Sequence, residues 1–189
     1  VADVPLVGMA TRLVAHKRLD LVKYVLNELL QENLQVVILG SGDWAYENYF
    51  REVQGRYPQK FCYCAGFLPE LARKIYAGAD IFLMPSKSEP CGLSQMVACR
   101  YGTVPVVRET GGLKDTVEPY NQFTQEGDGF TFDHYNAHDM LHVIEWAYDI
   151  YHHDRPSWEA MARRAMAKDF GWHQPAQAYI EVYEGLNTL

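Results

Sequence analysis

Residues 81–107 read IFLMPSKSEPCGLSQMVACRYGTVPVV, and this stretch decides the fold. Ile81-Phe82-Leu83-Met84 is apolar on both faces, as a strand inside a parallel sheet should be. Pro85 to Pro90 interrupts it. Gly92 to Tyr101 then reads as a helix stopped by Gly102, and Thr103 to Val107 as a second apolar strand. Strand, helix and strand in so short a span make a βαβ unit, and such units build parallel sheets covered by helices.

The same alternation extends toward the N-terminus. Leu6 to Ala10, Gln35 to Gly40 and Lys60 to Ala65 read as strands. Between them Arg18 to Glu32 places Leu19, Val22, Val25, Leu26, Leu29 and Leu30 at helical offsets, and Ala45 to Tyr57 reads as a helix ending before Pro58. Pro69 opens a helix through Tyr76, with Gly78 as its stop. Toward the C-terminus, Pro119 to Gly129 is polar and aperiodic and reads as a surface loop. Gly129 to Phe132 reads as a short strand, and helices follow over Ala137 to Tyr151, Ser157 to Lys168 and Pro175 to Leu186. The expected fold is α/β: a Rossmann-like parallel sheet with helices on both faces and closing C-terminal helices. No repeat or linker divides it, so residues 1–189 are expected to form one domain.

Composition narrows the function. The 189 residues are 48% hydrophobic and 22% charged, the balance of a foldable globular chain. A net charge of −7 argues against a general nucleic-acid binder and against an anionic membrane surface. No apolar run reaches the roughly 20 residues of a membrane helix. The four cysteines, Cys62, Cys64, Cys91 and Cys99, are too sparse for a disulfide scaffold and fit a reducing compartment. Val1-Ala2-Asp3-Val4-Pro5 carries no initiator Met and no export signal, so the chain reads as part of something longer.

In parallel sheets ligands gather at the carboxyl ends of the strands, so the loops there carry the chemistry. Thr11 to Lys17 holds Arg12 and Lys17, which read either as an anion clamp suited to a diphosphate or as two solvated cations. Gly40-Ser41-Gly42-Asp43 allows close backbone approach, but Ala45 stands where a dinucleotide fingerprint needs a third glycine. Phe67, beside Gly66, is either a wall for a nucleobase or core. In the loop 85–94, Glu89 suits sugar hydroxyls or merely caps the helix, while the amides near Gly92, Leu93 and Ser94 open onto an anion site. Glu109-Thr110-Gly111-Gly112-Leu113 reads as a mobile or ligand-hugging turn.

The segments Gly8-Met9-Ala10-Thr11-Arg12-Leu13 with Lys17, Pro85 to Gln95, Arg100 to Val117 and Ala167 to Trp172 are read together, and the central stretch among them is highly specific. The chain resembles, over nearly its whole length, the C-terminal domain of bacterial glycogen synthase and plant starch synthase, glycosyltransferase family five. That resemblance implies the C-terminal half of a GT-B transferase, with ADP-glucose as donor and the non-reducing end of an α-1,4-glucan as acceptor. Transfer would retain the anomeric configuration, with no metal and no other cofactor. Arg12 and Lys17 would hold the diphosphate and stabilise the leaving ADP, and Glu89 would hold the donor glucose and favour its developing positive charge. Phe67 would lie near the adenine, and Cys91, Gly92, Leu93, Ser94, Thr110 and Gly111 would complete the substrate contacts. The partner would be an N-terminal acceptor domain of the same natural chain, in a bacterial cytoplasm or a plastid. A domain alone would bind nucleotide but be largely inactive.

Two departures bear on the resemblance. Related family-four transferases often carry a second Glu eight residues after the first, where this chain has Val97. The glycine-rich loop and the His that an N-terminal domain supplies have no counterpart here. Two other readings stay open: a GT-B enzyme that uses UDP-sugars, and a non-catalytic nucleotide- or glucan-binding module.

The remaining motifs read as structural. His138 and His142 mimic a zinc pair, but Asp139 replaces the required Glu and no third ligand follows. Cys62 and Cys64 share a strand face and are expected in the core, Cys91 is expected to pack, and Tyr148, Tyr151 and Trp158 are expected to join helices.

Overall fold

Short apolar runs separated by amphipathic helices leave the backbone one economical arrangement, a sheet buried on both faces. A computed structural model of the chain describes residues 3–186. Among these residues, six strands form one sheet: β1 (Leu6–Ala10), β2 (Gln35–Gly40), β3 (Phe61–Ala65), β4 (Ile81–Met84), β5 (Val104–Arg108) and β6 (Phe130–Phe132). All neighbours are parallel, and the order is β3-β2-β1-β4-β5-β6. Connections run one way from β1 to β3 and the other way from β4 to β6. The reversal therefore falls between β1 and β4, where Val7 pairs with Ile81 and Gly8 with Phe82.

The helices are α1 (Leu19–Leu29), α2 (Trp44–Arg56), α3 (Pro69–Gly78), α4 (Ser94–Tyr101), α5 (Gly112–Thr116), α6 (Ala137–His153), α7 (Arg155–Ala167) and α8 (His173–Leu186). Val7 and Met9 join the large core formed with α1, α2 and α6. Gly8, one register step away, faces α3. A Cβ there would stand 2.8 Å from Ile75 Cγ2, so this glycine sets how closely α3 rides on the sheet. Tyr151 and Trp158 are buried and Tyr148 packs beside them, as expected of helix-joining aromatics. The described side chains of α8 are exposed.

Four expectations change. The helix expected from Arg18 to Glu32 runs only from Leu19 to Leu29; its start is set by Arg18, which takes a left-handed conformation (φ 57°) after a single 3₁₀ turn, Ala15–Lys17, and Leu30 caps its end. Cys62 and Cys64 do share a face, with sulfurs 3.7 Å apart, but Cys62 is exposed rather than core. The reason is that β3 is an edge strand, while α3 lies over β1. Cys91 is also exposed. Finally, the double glycine at 111–112 is a close-packed turn that opens α5. Gly111 has φ 46°, and a Cβ on Gly112 would fall 1.8 Å from the Cys91 carbonyl oxygen.

The expected surface loop before β6 is exposed at its tip but anchored at its base. The Tyr120 amide donates to Gly129 O at 2.8 Å, and the buried Asp128 forms an ion pair with Lys168. Lys60 plays a similar anchoring role at the end of α1. Its ammonium donates to Glu32 O at 2.7 Å, Leu30 O at 2.9 Å and Gln31 O at 3.4 Å, carbonyls that no helical turn satisfies.

Replacing Lys60→Met should lower the unfolding free energy by about 1–2 kcal/mol, measured by urea denaturation. A second expectation concerns Cys99, whose thiol is pushed by burial from the ordinary 9.0 up to about 12. At pH 8 an aromatic disulfide reagent should modify Cys62 and Cys91 promptly and spare Cys99 until the chain unfolds. The retained proton also sets a sign for stability. The Cys99 contribution is complete below 9.0 and is lost as pH rises toward about 12.

Candidate functional site

Backbone contacts assemble the site before any side chain does. Beyond β1 the chain runs alongside the continuation of β2: Thr11 N donates to Leu39 O at 2.9 Å, Leu13 N to Ser41 O at 2.9 Å, and Asp43 N to Leu13 O at 2.7 Å. That approach needs glycine. A Cβ on Gly40 would fall 1.8 Å from Thr11 O, and one on Gly42 would fall 2.4 Å from Leu13 O. The two glycines therefore make room for a neighbouring protein loop. Arg12 is left exposed, its guanidinium without a protein partner among the described residues.

Lys17, carried on the 3₁₀ turn, donates to Glu89, and the two side chains are only 15% and 14% exposed. The buried Ser86 donates its hydroxyl to the same Glu89 Oε2 at 3.2 Å. The two loops are also tied through the backbone, since Lys87 N donates to His16 O at 2.8 Å. From behind, Gly112 N donates to Glu89 O at 2.9 Å and the Thr110 hydroxyl to Lys87 O at 3.1 Å. A Cβ on Gly111 would meet Glu89 O at 2.3 Å. Thr110 and Gly111 thus brace the Glu89 loop and do not line the crevice.

The crevice lies at the carboxyl edge of the sheet, across the β1/β4 reversal. Its wider part is about 380 Å³ and is lined mainly by apolar groups, with Arg12, Phe67, Tyr76 and Ser94 among them. Phe67 is 90% exposed, so it is a wall of this cavity and not core. The narrower part, about 40 Å³, is lined by Lys17, Ser86, Glu89, Leu93 and Ser94. Ala10, Thr11 and Ser94 border both parts, so the two lie side by side along the strand ends. Ser94 begins α4, whose first amides have no intrahelical partner and carry the positive end of the helix dipole. Chemically, the recess offers an apolar shelf at one end, then amides and cations, then a carboxylate.

Some site features escaped sequence reasoning. The Tyr76 hydroxyl donates to Ser94 Oγ at 3.1 Å from α3, and nothing in the 69–78 pattern marked it. Gln95 is fully buried and donates to Gly92 O at 2.7 Å and to Thr116 Oγ1 at 2.9 Å, so it holds the Gly92 turn (φ 71°) against α5. Cys91 is exposed and is not among the residues lining either cavity. Val97 borders a groove between α4 and the segment after α7, outside the recess. Among the described residues no three His, Cys, Asp or Glu side chains converge as a metal set, and His138 faces Glu28 at 3.5 Å. No helix among them is long and apolar enough to cross a membrane.

Comparison with known proteins follows this geometry. Residues 2–165 match the family model described as glycosyl transferases group 1. A glycogen synthase of Geobacillus thermodenitrificans is 53% identical over 185 residues, and one of Bacillus cereus is 52% identical over 184. Each alignment covers 97% of this chain and 38% of the relative, so the chain spans well under half the length of these relatives. The catalytic domain of starch synthase IV from Arabidopsis thaliana, solved bound to ADP and acarbose, superposes with a TM-score of 0.87 at 34% identity. That match covers 96% of this chain and 38% of the other. The sucrose-phosphate synthase of Thermosynechococcus elongatus, at 20% identity and a TM-score of 0.71, shares the fold. The parallel sheet with helices on both faces is the architecture expected of the C-terminal half of a GT-B transferase. With its sheet order, its crevice at the strand reversal and a family match over nearly all its length, the chain belongs to the glycosyl transferases of group 1.

Proposed function

We propose that this chain is the donor-binding domain of a glycogen or starch synthase, residues 1–189 holding ADP-glucose for transfer of glucose to the non-reducing end of an α-1,4-glucan. The observation that carries the reading is the recess itself, where Phe67, Arg12, the α4 amides, Lys17 and Glu89 follow one another along one crevice. A nucleotide sugar presents the same sequence of chemistries: a flat base, a diphosphate and a neutral sugar. The relatives named glycogen synthase and the starch synthase bound to ADP support the choice of donor and acceptor.

In this reading the base rests against Phe67 in the apolar part. The diphosphate lies over the start of α4, where unpaired amides, Ser94 Oγ and the free guanidinium of Arg12 meet it. Lys17 reaches the phosphate nearer the sugar. Breaking the sugar–phosphate bond leaves negative charge on the departing ADP, and fixed cations stabilise that charge best where water is excluded. These cations, rather than a metal, are proposed to do so. Glu89, held by Ser86 and braced from α5, takes sugar hydroxyls and favours the positive charge that builds at the anomeric carbon as the bond loosens. Transfer is proposed to retain configuration. The acceptor is proposed to bind a separate N-terminal domain of the natural chain, so this domain alone should bind nucleotide and transfer almost nothing.

Calorimetry with ADP, UDP and ADP-glucose tests the donor assignment. The expected outcome is ADP binding stronger than UDP binding. A preference for UDP would move the assignment to a UDP-sugar enzyme, and no binding of any of the three at millimolar concentration would sink it. Arg12→Ala and Lys17→Ala should each weaken ADP by about 1.5–3 kcal/mol, roughly ten- to a hundredfold, and Glu89→Ala by less. Equal affinities across the three variants would count against the clamp. Joining the chain to an N-terminal portion from a relative should restore glucan elongation, assayed with labelled ADP-glucose. An intact chain that binds ADP yet never elongates would favour a binding module.

A further inference from the structure

The turn that carries Lys17 ends on a strained residue. Arg18 has φ 57° and ψ 40°, the left-handed region where a Cβ crowds its own backbone. Among the described residues only one other non-glycine, Gln125, has a positive φ, and it lies in the exposed loop before β6. Arg18 stands instead at a joint. Its N–H donates to Ala15 O at 3.1 Å and closes the 3₁₀ turn, while its carbonyl accepts from Leu21 N at 3.2 Å and opens α1. On one side of the joint Lys17 meets Glu89 in the crevice, and on the other Leu19 is fully buried in the core. The chain has one residue in which to turn from crevice to core, and the left-handed conformation makes the turn.

The Arg18 side chain shows how a residue other than glycine stays there. Its guanidinium carbon lies 3.9 Å from the centroid of the Tyr135 ring, and Nη1 donates to the Tyr135 hydroxyl at 3.1 Å. Tyr135 comes from the segment between β6 and α6, 117 positions away. It donates in turn to Asp20 Oδ2, which pairs with Arg18 Nη1 at 3.8 Å. That hydrogen bond to Asp20 pushes the Tyr135 phenol up and keeps it a donor. The arrangement carries costs besides strain. Arg18 Nε and Asp20 Oδ1 are buried without hydrogen-bond partners, and native structures seldom leave such atoms unpaired. Backbone strain and unmet polar atoms gathered beside a site residue mark a geometry held for use.

We propose that Arg18 is a positioning residue of the donor site: clamped by Tyr135 and Asp20, its left-handed joint aims Lys17 at Glu89 and at the phosphate nearer the sugar. The phosphate role of Lys17 rests on the donor reading above. Arg18 itself touches no ligand, because its charge is engaged by Tyr135 and Asp20. What it contributes is the direction of its neighbour, and a misaimed cation loses much of its hold on a phosphate.

The test reads ADP and AMP affinity on the same samples, since AMP lacks the phosphate that Lys17 reaches. Arg18→Ala keeps the strain and loses the clamp, and should lower the ratio of ADP to AMP affinity about fivefold or more. Arg18→Gly also loses the clamp but needs none, because glycine enters the left-handed region freely, and should return the ratio to within about twofold of the parent. Tyr135→Leu should lower the ratio in the parent chain and leave it unchanged in the Arg18→Gly chain. Tyr135 is half-exposed, so its variant tests the clamp even where Arg18→Ala fails to fold. A second readout needs no nucleotide. Acetylation of Lys17 by acetic anhydride, followed by mass spectrometry, should rise in Arg18→Ala and Tyr135→Leu and stay at the parent's level in Arg18→Gly. Either readout unchanged in Arg18→Ala and Tyr135→Leu would overturn the proposal. An Arg18→Gly chain as impaired as Arg18→Ala would overturn it too, since the charge itself would then be what acts. A Lys17→Ala chain that keeps the parent's ratio, or a parent that binds neither nucleotide, would instead overturn the donor reading, and Lys17 acetylation would then decide the joint alone.

Discussion

The ion pair between Lys17 and Glu89 joins residues 72 positions apart across the reversal of the sheet. Two charges so well shielded cost desolvation, and they are tolerated only when geometry and further hydrogen bonds compensate. Here the compensation is structural. Ser86 adds a second donor to the carboxylate, Lys87 N ties the loop to His16 O, and Gly112 N holds Glu89 O from the other side. The pair therefore fixes how the loops after β1 and β4 face each other. It also leaves a cation and a carboxylate side by side at the one edge where a parallel sheet opens to ligands.

Glycines make this arrangement possible in a more exacting way than turn-forming alone. At Gly40, Gly42, Gly111 and Gly112 the space a Cβ would need is already taken by a carbonyl of a neighbouring loop. The loops that carry Arg12 and Glu89 are thereby locked by backbone on backbone. Such contacts resist rotamer changes, which suits side chains that must wait in place for a charged ligand. Preorganisation of this kind lets fixed charges act on a developing ion without first rearranging.

Charge is distributed unevenly over the domain. A net −7 keeps the molecule from binding polyanions at large, and the few cations at the recess act locally. The groove between α1 and α2 differs from it, lined by Asp20, Lys23 and Asp43 with Tyr24, Tyr46 and Tyr49.

The sequence by itself determined the sheet. Runs such as Ile81–Met84 and Gln35–Gly40 are apolar on both faces, and only a strand covered on both sides accommodates that. It also marked Arg12, Lys17, Glu89 and Ser94, because strand ends are fixed by where apolar runs stop. Tertiary structure alone decided the rest. Whether Phe67 was core or wall, and whether Cys62 was buried or open, depended on which strand lay at the edge and where α3 settled, and strand order is a long-range property. The glycines at 111–112 read as a mobile or ligand-hugging turn because their partners, the carbonyls of Glu89 and Cys91, lie some twenty residues away in sequence. Tyr76 and the paired faces of α1 and α2 carried no local signal, since hydrogen bonds and grooves between helices exist only once the helices have packed.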